Sequence, residues 1–497
     1  DENNIYVGDN EKEVRKKYIL DNSCSLSQNN DVLDTWFSSA LWPFSTLGWD
    51  EDDGIFDKYF PTNLLVTGFD IIFFWVARMI MMSLKFTNNI PFNKIYIHGL
   101  FRDSEGKKMS KSVGNVIDPI DVIEGITLNE LLNKRTSSLI SNKQKESVIR
   151  KTKRDFPEGI KEYGADALRF NFCAMASTGR DINFDLNRIE GYRNFCNKLW
   201  NASRLIMMTC DEYEYNENLN TSDATIFDKW IMYKLDDVVS DFKKYSSTYR
   251  FDLMANSIYE FVWNEYCDWY LEIAKNNINN STKMFLIFSI TRILKICHPI
   301  IPFITEEIWK ELYNKKFVDE SSLINSSFPS QVRISKEKDI NSRVDCLKDI
   351  IKKVRKVRTE LGIHPKEIIT AKIIIKDNAI TSDINDNINL INSLSGINLS
   401  TIDVLDSSDI NYIDLIDNKF ILYLNLKSMI NITSELIKIE KKINNLKNIA
   451  NKISSKLNNK NFIERAPSEI ITQNISNQKK IENDILSLDN LHKTLSN

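Results

Sequence analysis

The densest chemistry in this sequence lies in ten residues, GKKMSKSVGN, at positions 106–115. Gly106 and Gly114 bracket a loop that holds Lys107, Lys108 and Lys111 together with Ser110 and Ser112. Lysines supply positive charge, and serines and backbone N–H groups supply hydrogen bonds, so a loop of this composition can grip a triphosphate. A strand-like run, KIYIHGLF at 94–101, leads into it and would hold it at a strand end. Lysine-rich turns are more often solvated than functional, and the complete string KMSKS at 108–112 is what sets this one apart. Metal chemistry has no comparable signal. The seven cysteines, Cys24, Cys173, Cys196, Cys210, Cys267, Cys297 and Cys346, form no CxxC pair, and the four histidines do not cluster near them. This predicts no zinc site and reduced thiols.

The elements that would position the loop follow from periodicity. At 497 residues the chain is too long for one core. Residues 1–125 read as α/β, with NLLVTG and KIYIHGLF as strands between helical stretches. Residues 126–222 read as mostly helical, with a polar, charged insertion near 142–154. Over 226–313 the helical signal is strong. Phe227, Trp230, Ile231, Leu235, Val238, Val239 and Phe242 share one face, and Ile290, Ile293, Leu294 and Cys297 form a second stripe that His298-Pro299 ends. Such stripes predict bundle core. Residues 314–340 read as a polar linker. A helix over 345–361 and the strand-like TAKIIIK and KFILYLNL then predict a small α/β module.

The last segment changes period. Ile432, Leu436, Ile439, Ile443, Leu446, Ala450, Ile453 and Leu457 are spaced 4-3-4-3-4-3-4, a heptad seam. A weaker seam through Ile471, Ile481, Ile485, Leu488 and Leu495 follows a break at 458–467, which predicts an antiparallel coiled-coil hairpin. Residues 431–497 hold 11 Lys+Arg and 7 Asp+Glu, a net +4, whereas the whole chain is -3, leaving -7 on the rest. A total charge of -3 does not suggest nucleic-acid binding, but a locally basic arm does. The longest apolar run, around IIFFWVARMIMM, is too short to span a bilayer and carries Arg78, and no signal peptide is visible.

KMSKS resembles the second signature of the class I aminoacyl-tRNA synthetases. DVLDTWFSSALWPFSTLGW at 31–49 and VTGFDIIFFWVARMIMM at 66–82 are similar to the valyl branch of that family. So are GRDINFDLNRIEGYRNFCNKLWNASR at 179–204, CDWYLE at 267–272, HPIIPFITEEIW at 298–309 and NFIERAP at 461–467. The resemblance covers essentially the whole chain. It implies the second half of a Rossmann-like catalytic domain with the KMSKS loop at 1–125, and a helical stem-contact region at 126–222. An α-helical anticodon-binding bundle at 223–330, a small α/β module at 331–430 and a coiled-coil tRNA-binding arm at 431–497 complete it. It assigns Lys111 to the phosphates during adenylate formation, with Lys108 assisting. Met109, Ser110 and Ser112 line the same ATP site, Gly68 and Asp70 lie against the ribose, and His98 and Gly99 lie near the adenine. Trp36, Ile71 and Trp75 would shape a valine pocket, and a rigid apolar pocket suits a branched aliphatic group. Taken without the resemblance, Trp36 and Trp75 read as core aromatics. In the arm, Lys441, Lys442, Lys447, Lys452 and Lys456 would meet tRNA.

The implied reaction joins valine to ATP, with Mg²⁺ accompanying the nucleotide, and passes valine to tRNA, in the cytoplasm and as a monomer when complete. No bound cofactor is implied. The family's first signature, His-Ile-Gly-His or similar, does not occur around His98, His298, His364 or His492, and its inserted editing domain is not recognised. The chain also begins Asp1-Glu2. The expectation is therefore a C-terminal portion that holds one half of the active site and is inactive alone. Two rivals remain: a non-catalytic tRNA-binding subunit or remnant of a split synthetase, which an intact KMSKS opposes, and an isoleucyl enzyme. The absence of a cysteine-rich zinc module at the end opposes the second.

Overall fold

Four residues of which only Val66 is exposed, LVTG, make β1 (Leu65–Gly68), and IYIH makes β2 (Ile95–His98). The two strands pair in parallel, with Gly68 opposite His98. The computed structural model describes residues 4–49, 51, 54–176, 181–211, 213–214, 223–331, 339–404, 412–426, 432–459 and 468–496. They divide into two compact units, Asp1–Val116 with Ala176–Phe184, and Ile117–Met175 with Asp185–Asn497.

In the first unit, helix α1 (Thr35–Ala40) is capped by Asp34, whose carboxylate accepts from the Trp36 N–H at 3.3 Å. The chain leaves β1 through a 3-10 turn, Phe69–Ile71, and a π turn, Ile72–Val76, into α2 (Ala77–Thr87). Val76 and Met79 bury against Leu65 and Phe92, which fastens this crossover to the strands. The wide π turn leaves Phe73 74% and Phe74 47% exposed while Trp75 packs toward that core. The apolar run IIFFWV is thus a two-sided corner. A third short strand, β3 (Phe101–Arg102), pairs in parallel with β4 (Ile182–Asn183), so residues 181–183 return to this unit from far downstream.

The second unit begins with α3 (Leu128–Thr136), opened by a Thr127–Glu130 capping box. The polar run predicted as an insertion is a helix, α4 (Asn142–Asp155), whose buried Thr152 accepts from Arg135 Nη1 at 3.0 Å. The bundle follows: α5 (Ala165–Met175), α6 (Leu186–Thr209), α7 (Ile226–Ser247), α8 (Phe251–Glu260, continuing as a π helix over Phe261–Tyr270), α9 (Asn280–Cys297) and α10 (Pro302–Asn314). The stripes read from the sequence are its core, with Trp230, Tyr266, Phe285 and Leu294 all completely buried. Truncating one of these aromatics to Ala would cost about 3–5 kcal/mol. Asp166 on α5 accepts from the N–H groups of Phe303 (3.3 Å) and Ile304 (2.7 Å), capping α10 from a neighbouring helix.

The stretch after α10, predicted as a polar linker, is packed. Phe317 and Leu323 are buried in the bundle core. Trp309 Nε1 donates to the Glu320 carbonyl at 2.8 Å, and Glu306 accepts from Ser322 Oγ at 2.6 Å and the Leu323 N–H at 3.0 Å. Helix side chains thus satisfy the loop's backbone, and polar composition alone does not reveal that. Helix α11 (Ile340–Glu360) starts before the predicted position 345. A four-stranded sheet follows, ordered β6-β5-β8-β7, from β5 (Ile369–Ile375), β6 (Ile397–Thr401), β7 (Tyr412–Ile416) and β8 (Phe420–Asn425). Helix α12 (Ile388–Ser395) links the parallel pair β5 and β6. On α11, Lys348, its side chain 4% exposed, is 2.5 Å from Glu265 Oε2 and lies over the rings of Trp230 (4.7 Å) and Trp269 (5.2 Å).

Two long helices, α13 (Ile432–Leu457) and α14 (Ser468–Ser496), end the chain. His492 Nε2 is 3.2 Å from Glu440 Oε1, so the end of one helix lies beside the start of the other. Ile439, Ile443 and Leu488 are buried, with Leu436, Leu446 and Ile485 packed against them. The NFIERAP segment at 461–467, and the side chains of Ile432 and Leu495, lie outside the described residues. Every cysteine is a free thiol; Cys24 and Cys173 are half-buried and the rest buried. Burial pushes the thiols of Cys173, Cys196, Cys210 and Cys267 up to about 12 and that of Cys346 up to about 11, and raises Cys297 as well. Among the described residues, no helix is long and apolar enough to cross a membrane.

Candidate functional site

The parallel strands β1 and β2 end together, and the residues singled out in the sequence gather at those ends. Carboxyl ends of parallel strands are where open α/β sheets bind ligands. Gly68 closes β1. A Cβ there would meet Asp70 Oδ1 at 2.7 Å and lie 3.6 Å from His98 Cε1, so a side chain at this position would have to displace the Asp70 carboxylate. His98 closes β2, with Nδ1 2.8 Å from the Gly99 carbonyl.

Beyond β3 the lysine loop folds back toward Asp70. Lys108 Nζ is 3.6 Å from Asp70 Oδ2, both side chains well exposed. Gly106 (φ 75°) and Gly114 (φ 70°) occupy the left-handed region, which is why glycine brackets the loop. Lys107, Lys108, Lys111 and Ser112 are exposed, and Met109 and Ser110 half-buried. The hydroxyls of Ser110 and Ser112 are 3.0 Å apart. The loop therefore presents ammonium groups and hydroxyls beside a carboxylate and a histidine, a surface suited to a polyphosphate joined to a sugar and a base.

Trp36 and Trp75 each belong to an aromatic pair, the two pairs linked through the neighbouring residues Phe74 and Trp75. Trp36 is 5.9 Å from Phe74, Trp75 is 6.1 Å from Trp42, and Trp75 Nε1 donates to the Ser39 carbonyl at 3.1 Å. Ile71 is half-buried at the start of the π turn.

Asn115 ends the string GKKMSKSVGN and Asp181 lies in the run at 179–204, but the local pattern shows the partners of neither, nor those of Arg102 and Asp103. Asp181 accepts from the Leu100 N–H at 3.0 Å and pairs with Arg102, fastening β4 beside β3. Those two partners hold its carboxyl below the ordinary range. Asp103 and Asn115, 4% and 3% exposed, hydrogen-bond each other at the two ends of the lysine loop. Each is one polar residue whose partner is distant in sequence, so no local pattern announces it. Among the described residues, no group of three or more His, Cys, Asp or Glu side chains could hold a metal ion.

In the second unit, Lys441, Lys442, Lys447, Lys452 and Lys456 are all exposed along α13, away from its buried seam. They spread over the exposed side of one helix.

Comparison with known proteins gives three family matches in chain order. Residues 3–185 match tRNA synthetases class I (I, L, M and V). Residues 228–374 match the anticodon-binding domain of tRNA ligase, and residues 431–495 the valyl tRNA synthetase tRNA binding arm. The valine–tRNA ligase of Legionella pneumophila (strain Lens) is 49% identical over 396 residues, 78% of this chain and 42% of that protein. That of Francisella tularensis is 42% identical over 94% of this chain and 51% of its own length. That of Coxiella burnetii is 40% identical over 100% of this chain and 55% of its own length. The chain thus spans about half the length of these relatives.

Proposed function

The chain belongs to the class I tRNA synthetases, in their valyl branch, and from that membership we propose that it supplies one part of a valine–tRNA ligase. The complete protein joins valine to ATP, giving valyl-adenylate and pyrophosphate, then passes valine to the 3′ end of its tRNA. The observation that carries this reading is the Lys108–Asp70 approach, which brings the lysine loop to the strand ends where Gly68 and His98 lie.

In this reading Asp70 and Gly68 face the ribose, and His98 and Gly99 the adenine. Lys111 and Lys108 stabilise the charge that develops as valine attacks the α-phosphate, helped by Ser110, Ser112 and the backbone of Met109. Mg²⁺ arrives with ATP as the partner of its phosphates. Trp36, Ile71 and Trp75 border the valine side chain, excluding water and larger groups. The bundle and the arm hold tRNA, the arm through phosphate contacts of Lys441, Lys442, Lys447, Lys452 and Lys456, with the two arm helices packed as a coiled coil. The complete enzyme acts as a cytoplasmic monomer.

The test is valine-dependent exchange of pyrophosphate into ATP, followed by charging of tRNA, with the longest natural protein that carries this sequence. Exchange driven by valine over isoleucine supports the reading. Exchange driven equally by isoleucine, or none with either amino acid, sinks it.

A further inference from the structure

We propose that Asn115 is a positioning residue for this site. Paired with Asp103, it fixes the lysine loop in the shape that receives the polyphosphate, and opposite that carboxylate it can do so only as an amide. The inference rests on the functional reading above for the identity of the ligand, and on geometry for everything else.

One side chain ties three points of the loop. Asn115 Nδ2 donates to Asp103 Oδ2 at 2.9 Å and to the Lys108 carbonyl at 3.1 Å, and Asn115 Oδ1 accepts from the Ser110 N–H at 2.9 Å. Asp103 in turn accepts from the N–H groups of Glu105 (3.0 Å) and Lys107 (2.8 Å) through Oδ1. The amide orientation is set by this pattern. Reversed, its NH₂ would face the Ser110 donor and its oxygen would face two acceptors. Both side chains are buried, at 3% and 4% exposure. An unmet polar group there would carry its full desolvation cost.

The arrangement separates two jobs. The backbone from 103 to 115 is held from behind, while the side chains of Lys107, Lys108 and Lys111 face solvent. A loop ordered before its ligand arrives spends none of the binding energy on ordering. The backbone from which the ammonium groups extend is then held by a buried amide. Aspartate is nearly isosteric with asparagine but donates nothing. At position 115 it would set a second carboxylate against Asp103 and against the Lys108 carbonyl.

The experiment compares parent, Asn115→Asp and the exchanged pair Asp103→Asn/Asn115→Asp in the full-length protein. In the exchanged pair, the amide at position 103 accepts from the Glu105 and Lys107 N–H groups and donates to the carboxylate at position 115. That carboxylate still accepts from the Ser110 N–H, while the Lys108 carbonyl loses its donor. For Asn115→Asp we expect kcat/KM for ATP in pyrophosphate exchange to fall about 10²-fold. The KM for valine should move by less than about twofold, because the interaction lost does not touch valine. The exchanged pair should recover to within about tenfold of the parent. Amide hydrogen exchange at Lys107 and Ser110 is read in the same proteins, and should speed up at least about tenfold in Asn115→Asp and slow again in the exchanged pair. Equal losses for ATP and valine, or no rescue, would show a merely structural residue and overturn the proposal. So would unchanged hydrogen exchange. If the parent itself lacks valine-dependent activity, the functional reading fails, while hydrogen exchange still decides whether Asn115 fixes the loop. Should Asn115→Asp not fold, Asn115→Ser, which keeps one donor, is measured the same way and should show a smaller change in the same direction.

Discussion

A single ammonium group, that of Lys111, carries most of the proposed phosphate chemistry on this chain. Its loss is expected to cost about 3–4 kcal/mol of transition-state stabilisation, roughly 10²–10³ in adenylation rate. The KM for valine should hold nearly constant in Lys111→Ala, because a contact made only in the transition state leaves ground-state binding alone. Single-turnover adenylation of the full-length variant checks this, and a rate within a few-fold of the parent would remove Lys111 from the proposed mechanism. The lysine loop was legible in the sequence because its chemistry is contiguous: five residues, KMSKS, state it. The roles of Asp103, Asn115 and Asp181 were not legible, because each acts through a partner that only folding brings near. For Asn115 that partner is twelve positions back, and for Asp181 it is Arg102 on another strand.

Elements were legible where one period ran long enough. The stripe from Phe227 to Val239 became the buried face of α7, and TAKIIIK and KFILYLNL became β5 and β8. The π turn at Ile72–Val76 and the packed segment around Phe317 and Leu323 were not, because both depend on what neighbouring helices offer. Two predictions belong to joints between elements. Lys348 joins α11 to the bundle through Glu265, Trp230 and Trp269. Glu265→Gln leaves that buried ammonium only the longer contact to Asp345 Oδ1, at 3.9 Å, and should lower unfolding free energy by about 3 kcal/mol in urea titration. An effect below about 1 kcal/mol would mean that Asp345 and the ring faces satisfy Lys348 without Glu265. The second joint is His298, whose Nδ1 lies 2.8 Å from Thr305 Oγ1. Burial holds its pKa below the ordinary histidine value, opposed by the carboxylates of Glu306 and Asp166. A histidine depressed in the folded state binds fewer protons there than in the unfolded chain. Its stability contribution is therefore present above the unfolded value of about 6.5 and is lost as pH falls below it. His298→Gln should flatten the dependence of unfolding free energy on pH below about 6.5. Identical slopes in parent and variant would assign that dependence elsewhere.

At the scale of the whole molecule, charge is divided by position: +4 on residues 431–497 against -7 on the remainder. Ile439, Ile443 and Leu488 belong to the core of the second unit, so excising the arm would also expose apolar surface. Neutralising Lys441, Lys442, Lys447, Lys452 and Lys456 to Gln is the cleaner experiment, since all five are exposed. Binding of tRNA should weaken, and its salt slope should become shallower by up to about one unit for each lysine that meets a phosphate. Adenylation should stay nearly intact. A variant with unchanged affinity and slope would reduce these lysines to a solubilising face. The two long helices that end the chain could be read from the change of period at Ile432. The return of Ile182–Asn183 to pair with Phe101–Arg102 could not, because a two-residue strand has no period to read.

The thiols give the molecule a clock. Alkylating reagents attack thiolate, and six of the seven sulfurs are buried or half-buried with their acidity suppressed. Five of those six lie between residues 173 and 297, spread over the helical bundle, and the sixth, Cys346, is on α11 beside the sheet. A maleimide added to the native protein therefore modifies these positions only as fast as the surrounding helices open. Counting labels by mass spectrometry at successive times would date the opening of the bundle and of the α11 layer separately, with no probe introduced.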